Sequence, residues 1–296
     1  MTKIPHKSGY VSIVGNPNVG KSTLVNALMG RDLSITTAKA QTTRHRILGL
    51  INGDHYQLVL SDTPGIIKPS YEMQNSMMDF VKESLNDADV LLYIISIQEK
   101  EIKDKALVER INKSKIPLFI LINKIDISSQ LELEAAVKEW SLIFPRAKVI
   151  PISALTGFFV TELLQMLIEL LPESPAYFPK NQLSDRPEKF FVNESIRKSI
   201  LEHYDKEIPY AVEVVTESFK EEEKIIRIQA VILVERETQK GIIIGHQGKA
   251  LKKVGTQARK DLETFFGKKI FIKLFVKVTK NWRDNEQDLK RFGYFT

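Results

Sequence analysis

The chain contains no cysteine. Disulfides, thiolate nucleophiles and cysteine-ligated metals are therefore excluded, and a reducing compartment suits it. No apolar run approaches the ~18 residues needed to cross a bilayer. The first thirty residues lack a signal-peptide pattern: Met1 to Gly9 is polar, and the apolar run that follows is only a strand long. The expectation is a cytoplasmic protein without a leader. Acidic residues are nearly missing from 240–280, where 2 stand against 11 basic ones. A balance of +9 in forty residues suggests a face for polyanions. Residues 1–180, by contrast, hold 20 Lys/Arg against 19 Asp/Glu.

What is present is ample for a core. Of 296 residues, 43% are hydrophobic and 27% charged, enough for two ordinary globular domains. The first half alternates strand-like and helix-like runs. Arg46–Asn52 and Tyr56–Ser61 read as strands around the hairpin signal Gly53-Asp54. Val90–Ser96, Pro117–Ile122 and Lys148–Pro151 have the length of buried strands. Helical patterns lie near Met73–Leu85, Lys103–Ser114, Leu131–Ile143 and Val160–Leu171. The alternation predicts an α/β fold with a mostly parallel sheet, one antiparallel edge strand and helices on both faces. Ligands of such sheets sit at the carboxyl ends of strands.

Four motifs fall at such ends. Gly15-Asn16-Pro17-Asn18-Val19-Gly20-Lys21-Ser22 joins the apolar run Tyr10–Val14 to an amphipathic run, the context of a phosphate-binding loop. Gly15 and Gly20 let consecutive N–H groups face inward as an anion nest, and the next helix aims its positive end there. Lys21 supplies charge for the β- and γ-phosphates, and Ser22, followed by Thr23, offers a hydroxyl to Mg²⁺. Asp62-Thr63-Pro64-Gly65 follows the strand ending at Ser61; Asp62 can support Mg²⁺ and the Gly65 N–H can reach a γ-phosphate. Asn123-Lys124-Ile125-Asp126 follows the strand ending at Ile122. The Asp126 carboxylate can accept the ring N–H and amine of guanine, whereas adenine would leave it unpaired. Ser153-Ala154 is placed to offer a backbone N–H to the guanine oxygen. Finally, Gln41-Thr42-Thr43-Arg44 lies in a polar segment between helix and strand. There Thr43, preferred over Thr42, can cap Mg²⁺ and the γ-phosphate and so sense hydrolysis.

Pro172, Pro175, Pro179 and Pro187 mark a semi-rigid linker. Beyond it come a helix near Lys189–Tyr204, strands Tyr210–Phe219 and Lys224–Val234, and the apolar run Gly241–Ile244. Gly245-His246-Gln247-Gly248-Lys249 then opens a long helix to Phe266 with a buried stripe of Leu251, Val254, Ala258, Leu262 and Phe265. Lys252, Lys253, Arg259 and Lys260 lie off that stripe. A last strand, Ile270–Val278, alternates strictly. Two glycines around two polar residues let a backbone approach phosphates closely. A lone GxxG could equally be supplied by any helix–helix turn, so Gly245, His246, Gln247, Gly248, Lys249, Lys252 and Lys253 are candidates for RNA only through the resemblance that their order carries, together with the basic segment.

Taken in order, the motifs of the first half resemble a translation-factor-type GTPase over residues 8–170. The order helix–strand–strand–GxxG–helix–strand in the second half resembles a type II KH domain, a clamp for about four single-stranded nucleotides. Together they resemble the Era family of GTPases, a match strengthened by KAQTTRHRILG, LVERETQKGIIIG and KVGTQARKDLE. The division is then a GTPase domain at 1–172, a linker at 173–188, a KH domain at 189–280 and a tail at 281–296. The resemblance implies GTP/GDP and Mg²⁺ as cofactors, with Lys21, Thr43 and Gly65 as catalytic residues. It implies binding of small-subunit (16S) ribosomal RNA, a role in small ribosomal subunit assembly, and peripheral contact with the inner membrane; a monomer is expected. Ile66 stands where many GTPases carry a water-orienting glutamine. The resemblance is thus to the subgroup with an apolar residue there, in which Asn18 is placed to ligate K⁺. Two alternatives stay open: an RNA-binding scaffold with structural GTP, and a tRNA-modification-type GTPase relative.

Overall fold

The protein is described from a computed structural model over residues 5–99 and 105–295. Two compact units emerge. The first runs β1 (Lys7–Val14), α1 (Lys21–Met29), β2 (Ile47–Asn52), β3 (Tyr56–Asp62), α2 (Glu72–Asp87), β4 (Val90–Ser96), α3 (Lys105–Lys113), β5 (Leu118–Asn123), α4 (Gln130–Ile143), β6 (Lys148–Pro151) and α5 (Val160–Leu170). The start of the helix expected from Lys103 lies outside the described residues. The sheet order is β2-β3-β1-β4-β5-β6, parallel throughout except for the edge strand β2, which runs antiparallel to β3.

Every residue of β4 is buried. Leu91, Tyr93 and Ile95 pack with Val81, Ile111, Trp140 and Phe144 from α2, α3 and the end of α4. The alternate residues Leu92 and Ile94 are as deeply buried, so the opposite face is covered as well. A continuous apolar run is what a doubly covered parallel strand requires. The strand order reverses at β1, whose neighbours are β3 and β4. The loop after β1 therefore opens into the crevice where such sheets bind ligands.

The proline-bearing segment, expected to be a spacer, is instead pinned to the first unit. The Gln57 side chain is fully buried and accepts from the N–H groups of Tyr177 (2.7 Å) and Phe178 (2.9 Å). Its amide donates to Phe178 O (2.8 Å) and Asn52 Oδ1 (2.8 Å). Tyr10 stacks on Tyr177, and the Leu50 N–H donates to Leu183 O at 2.9 Å. The segment thereby covers the edge strand β2, whose open N–H row would otherwise invite pairing.

The second unit contains Ile35–Thr42, Pro69–Met77 and the chain from Arg186 onward. Its elements are α6 (Glu188–His203), β7 (Glu213–Glu221), β8 (Ile225–Val234), α7 (Glu237–Ile244), α8 (Lys249–Phe266), β9 (Lys269–Val278) and α9 (Glu286–Arg291). The sheet β7-β8-β9 pairs its first two strands antiparallel and its last two parallel. Val192, Ile196, Ile200, Val254, Ala258 and Leu262 form its core with the inward residues of β8 and β9. Leu251 and Phe265, expected in the buried stripe of α8, are only partly buried.

The apolar run before the GxxG turn belongs to a helix, α7, so the turn joins two helices. Gln239 Oε1 reaches back to the N–H groups of Glu235 (2.9 Å) and Arg236 (3.1 Å), which fixes the helix start. Residues 281–295 are not a loose tail. Trp282 is fully buried and donates to Ala211 O (3.2 Å), and the Tyr294 hydroxyl donates to Glu213 Oε2 (2.8 Å).

Candidate nucleotide and nucleic-acid sites

The loop after β1 is shaped by close packing as well as by backbone freedom. A Cβ on Gly15 would lie 2.2 Å from Ile94 O, and one on Gly20 would lie 2.2 Å from Asn123 Nδ2. Asn18 and Gly20 take positive φ, 63° and 101°. Lys21 opens α1, is buried, and donates to Gly15 O (3.1 Å) and Asn16 O (2.9 Å). Burial pulls its pKa down to about 8, against the opposing pull of the Asp62 and Glu99 charges. Asn16 donates to Glu99 Oε1, a carboxylate beside this loop that the sequence motifs do not reveal.

Three groups from separate elements meet next to it. Ser22 Oγ donates to Asp62 Oδ2 at 2.8 Å, and lies 2.8 Å from Thr43 Oγ1. Asp62 is fully buried, and its Oδ1 makes no hydrogen bond. Burial pushes the Asp62 carboxyl up, opposed by the Ser34 hydroxyl first, then by the Ser22 hydroxyl and the Lys21 charge. The Thr42 hydroxyl is occupied within its own loop, by Thr37 Oγ1 (2.7 Å) and Lys39 O (2.6 Å), so Thr43 is the threonine that reaches Ser22.

Past Asp62, Thr63 Oγ1 donates to Ile13 O at 2.7 Å, and Pro64 leads to Gly65. A Cβ on Gly65 would sit 2.8 Å from Pro17 Cα and N. The bare backbone of Gly65 is what lets the two loops close up. The Ile66 N–H donates to Gly15 O at 3.1 Å, and its side chain packs toward the core around Val14.

At the other end, Asn123 Nδ2 donates to Val19 O (2.7 Å) while its Oδ1 accepts the Ala154 N–H (2.9 Å). Lys124 has φ 66° and donates to Asn18 O at 2.6 Å. Asp126 is exposed and accepts the Ser153 hydroxyl at 2.6 Å, which orients its carboxylate at the rim. The Ser153 N–H donates to Phe158 O at 3.3 Å. Neither backbone N–H expected for a guanine oxygen is idle in this structure, so contact with a base oxygen would share the Ala154 bond. Nothing in the bare Ser-Ala pair signalled this.

In the second unit, Gly245 (φ 69°, ψ 179°), Gln247 (φ 51°) and Gly248 (φ 74°) turn the chain sharply between α7 and α8. No side chain caps the first N–H groups of α8, so they stay available to an anion. A groove of about 390 Å³ runs from this turn between α8 and β9. Gly248, Leu251, Lys252, Gly255, Thr256 and Arg259 form one wall, and Ile270, Phe271, Ile272 and Leu274 the other. Of the expected residues, Gly248 and Lys252 line it. Gly245, His246, Gln247 and Lys249 build the turn, and Lys253 is exposed away from the groove. Thr256 and Arg259 were not among the candidates, although Thr256 lies four residues after Lys252 and Arg259 three after Thr256, which places all three on one helix face. Phe271 is 51% exposed, and the Arg227 guanidinium lies over its ring at 5.8 Å.

Known proteins resemble the chain along nearly its whole length. Residues 10–124 match the family model of the 50S ribosome-binding GTPase, and residues 207–283 match that of the KH domain. GTPase Era of Clostridium kluyveri is 42% identical over 290 residues, 97% of this chain and 99% of that protein. GTPase Era of Staphylococcus epidermidis is 42% identical over 291 residues, 98% of this chain and 97% of that protein. A crystal structure of Era in complex with MgGDPNP and nucleotides 1506–1542 of 16S ribosomal RNA superposes with a TM-score of 0.92. It is 35% identical and covers 98% of this chain and 100% of that one. A variant of Aquifex aeolicus Era bound to GDP and AlF4⁻ gives a TM-score of 0.93 at 36% identity, covering 98% and 100%.

Proposed function

The chain belongs to the Era family of GTPases, and from that premise we propose that GTP binding and hydrolysis here serve small-subunit ribosomal RNA recognition during small ribosomal subunit assembly. The chain binds GTP and hydrolyses it to GDP and phosphate. RNA binding is assigned to residues 189–280, through the groove beside the GxxG turn. The protein works as a monomer in the cytoplasm. Among the described residues no helix is long and apolar enough to cross a membrane, and contact with the inner membrane face would be peripheral, through basic charge.

The convergence of Ser22, Thr43 and Asp62 carries the proposal. Two hydroxyls 2.8 Å apart beside a buried carboxylate with a bare Oδ1 suit Mg²⁺, a hard cation that takes oxygen ligands and keeps water. When bound, Mg²⁺ neutralises charge on the β- and γ-phosphate oxygens. Lys21 would supply its ammonium to the phosphates, and the Gly65 N–H would be offered to the γ-phosphate. Asp126 accepts the two N–H donors of guanine and rejects adenine. Ile66 cannot hydrogen-bond the attacking water, so intrinsic turnover is slow. We assign its stimulation to K⁺ held at Asn18, or to RNA.

Ile66 also favours one rival: an RNA-binding scaffold whose GTP is structural. The deciding experiment is GTP turnover in K⁺ and in Na⁺, each with and without a single-stranded fragment of the 16S 3′ end. A rise with RNA supports the switch. Tight RNA binding with flat turnover in every buffer leaves the scaffold.

A further inference from the structure

The loop that presents Thr43 is held by an arginine far along the chain. Arg197 lies in α6, is 1% exposed, and is bracketed by Glu194 one turn earlier. Its Nε donates to Glu194 Oε1 at 2.8 Å and its Nη2 to Glu194 Oε2 at 2.6 Å. The other edge of the guanidinium donates to two consecutive backbone carbonyls, Gln41 O (3.3 Å) and Thr42 O. This is a planar fork used on both sides, which an ammonium cannot reproduce.

The carbonyls it grips belong to a tightly cross-bonded turn. Gln41 takes φ 55°, and Thr37 Oγ1 meets Thr42 Oγ1 at 2.7 Å and accepts the Lys39 N–H at 3.1 Å. Lys39 Nζ donates to Tyr204 O and pairs with Asp205 Oδ1 at 2.7 Å, just past the end of α6. Tyr71 donates to Gln41 Oε1 at 3.3 Å. The residue after the gripped carbonyls is Thr43, whose hydroxyl stands beside Ser22. With its preceding two peptide units fixed, Thr43 has little freedom left except its own side-chain torsion.

We propose that Arg197 is a positioning residue for GTP hydrolysis: by holding the carbonyls of Gln41 and Thr42 it sets the Thr43 hydroxyl beside Ser22. The inference rests on the reading of Thr43 as a ligand of Mg²⁺ and sensor of the γ-phosphate. GDP has no γ-phosphate for Thr43 to sense, so loss of Arg197 should weaken GTP binding and hydrolysis and spare GDP affinity.

The test uses Arg197→Lys in the full chain, with Thr43→Ala and the double variant. Arg197→Lys should lower kcat by roughly 5- to 50-fold, the range of ordinary coupling energies. GDP affinity should stay within about twofold of the parent, while the ratio of non-hydrolysable GTP analogue to GDP affinity falls, again on the scale of such couplings. Amide exchange at Gln41–Thr43 in the nucleotide-free protein should quicken. In a Thr43→Ala background, Arg197→Lys should cost less than about twofold, because the group being positioned is gone. Should Arg197→Lys fold poorly, the neutral pair Glu194→Met/Arg197→Met keeps the volume and leaves no charge buried alone. It should show the same loss. Equal losses of kcat in both Thr43 backgrounds, or a GDP affinity that falls with the GTP-analogue affinity, would reduce Arg197 to a structural ion pair and overturn the inference. A Thr43→Ala variant with unchanged kcat is a separate failure: it removes the reading of Thr43, and the role of Arg197 with it.

Discussion

Nucleotide binding should take up protons, and Lys21 is the group responsible. In the free protein its ammonium is buried against backbone carbonyls, with a pKa of about 8 rather than 10.5. In the proposed mode of binding, phosphate oxygens reach that ammonium and restore its charged form. The linkage is then fixed in size. About half a proton is taken up per nucleotide at pH 8 and about a tenth at pH 7. The association constant should fall by about fourfold between pH 7 and pH 8.5. Stability runs the other way. The unfolded chain binds more protons than the folded, nucleotide-free protein between about pH 8 and 10.5, so that protein gains stability as pH rises through this window. The full gain from Lys21 is roughly 3 kcal/mol. Titration calorimetry with GDP in two buffers of different ionisation enthalpy reads the proton count, and Lys21→Met removes the group while keeping the nucleotide's own ionisation. Proton uptake that persists unchanged in Lys21→Met refutes the assignment, as does an affinity flat from pH 7 to 8.5 in the parent.

Gly65→Ala places a methyl 2.8 Å from Pro17 backbone atoms, and should lower kcat for GTP by at least about tenfold, the overpacking cost falling where the two loops close; steady-state turnover beside GDP affinity measures it. Asp126→Asn removes a charged acceptor at the base rim and should weaken GTP by roughly 10- to 100-fold while leaving ATP binding as poor as before, read by competition binding. Gly248→Asp meets no atom within 4 Å and costs only about 1 kcal/mol of left-handed strain, yet puts a negative charge at the groove mouth. It should keep its Tm within a few degrees and lose RNA affinity at low salt; unchanged RNA affinity would remove the groove from consideration. Trp282→Ala empties a fully buried site and should cost about 3–5 kcal/mol, seen as a drop in Tm or denaturant midpoint of the second unit.

The proposed nucleotide site is legible in the sequence because each of its parts is local. A glycine loop, a DTPG turn and an NKID turn each carry their chemistry within four to eight residues, and parallel strands deliver all of them to one edge. Fold class followed from the alternation of apolar runs for the same reason. What stayed hidden depends on distant partners. Gln57 reads as a surface polar residue in a strand until Tyr177 and Phe178 arrive to satisfy it. Gly241–Ile244 reads only as an apolar run, because nothing local shows the helix start that Gln239 fixes by bonding backward. Arg197 and Glu194 read as an ordinary i,i+3 surface pair on a helix. Their burial comes from the loop at 41–42, more than 150 residues away.

Asn123 explains how the two ends of the nucleotide site keep their spacing. Its single amide joins the phosphate loop, through Val19 O, to the base loop, through the Ala154 N–H. Lys124 adds a second tie, to Asn18 O, from a left-handed backbone that turns its side chain back along the loop. Gly20 leaves the room for the first tie, since any Cβ there would collide with the Asn123 amide. The phosphate and base ends are thus one hydrogen-bonded body, in which a change at Gly20 or Asn123 moves both. The Thr43 loop shares none of these ties; its carbonyls are held by Arg197 instead. On the proposed reading of Thr43, a site built this way can keep the base and the β-phosphate in place while the group proposed to sense the γ-phosphate lets go, which is what a protein must do to remain bound to GDP after hydrolysis and still report that hydrolysis has occurred.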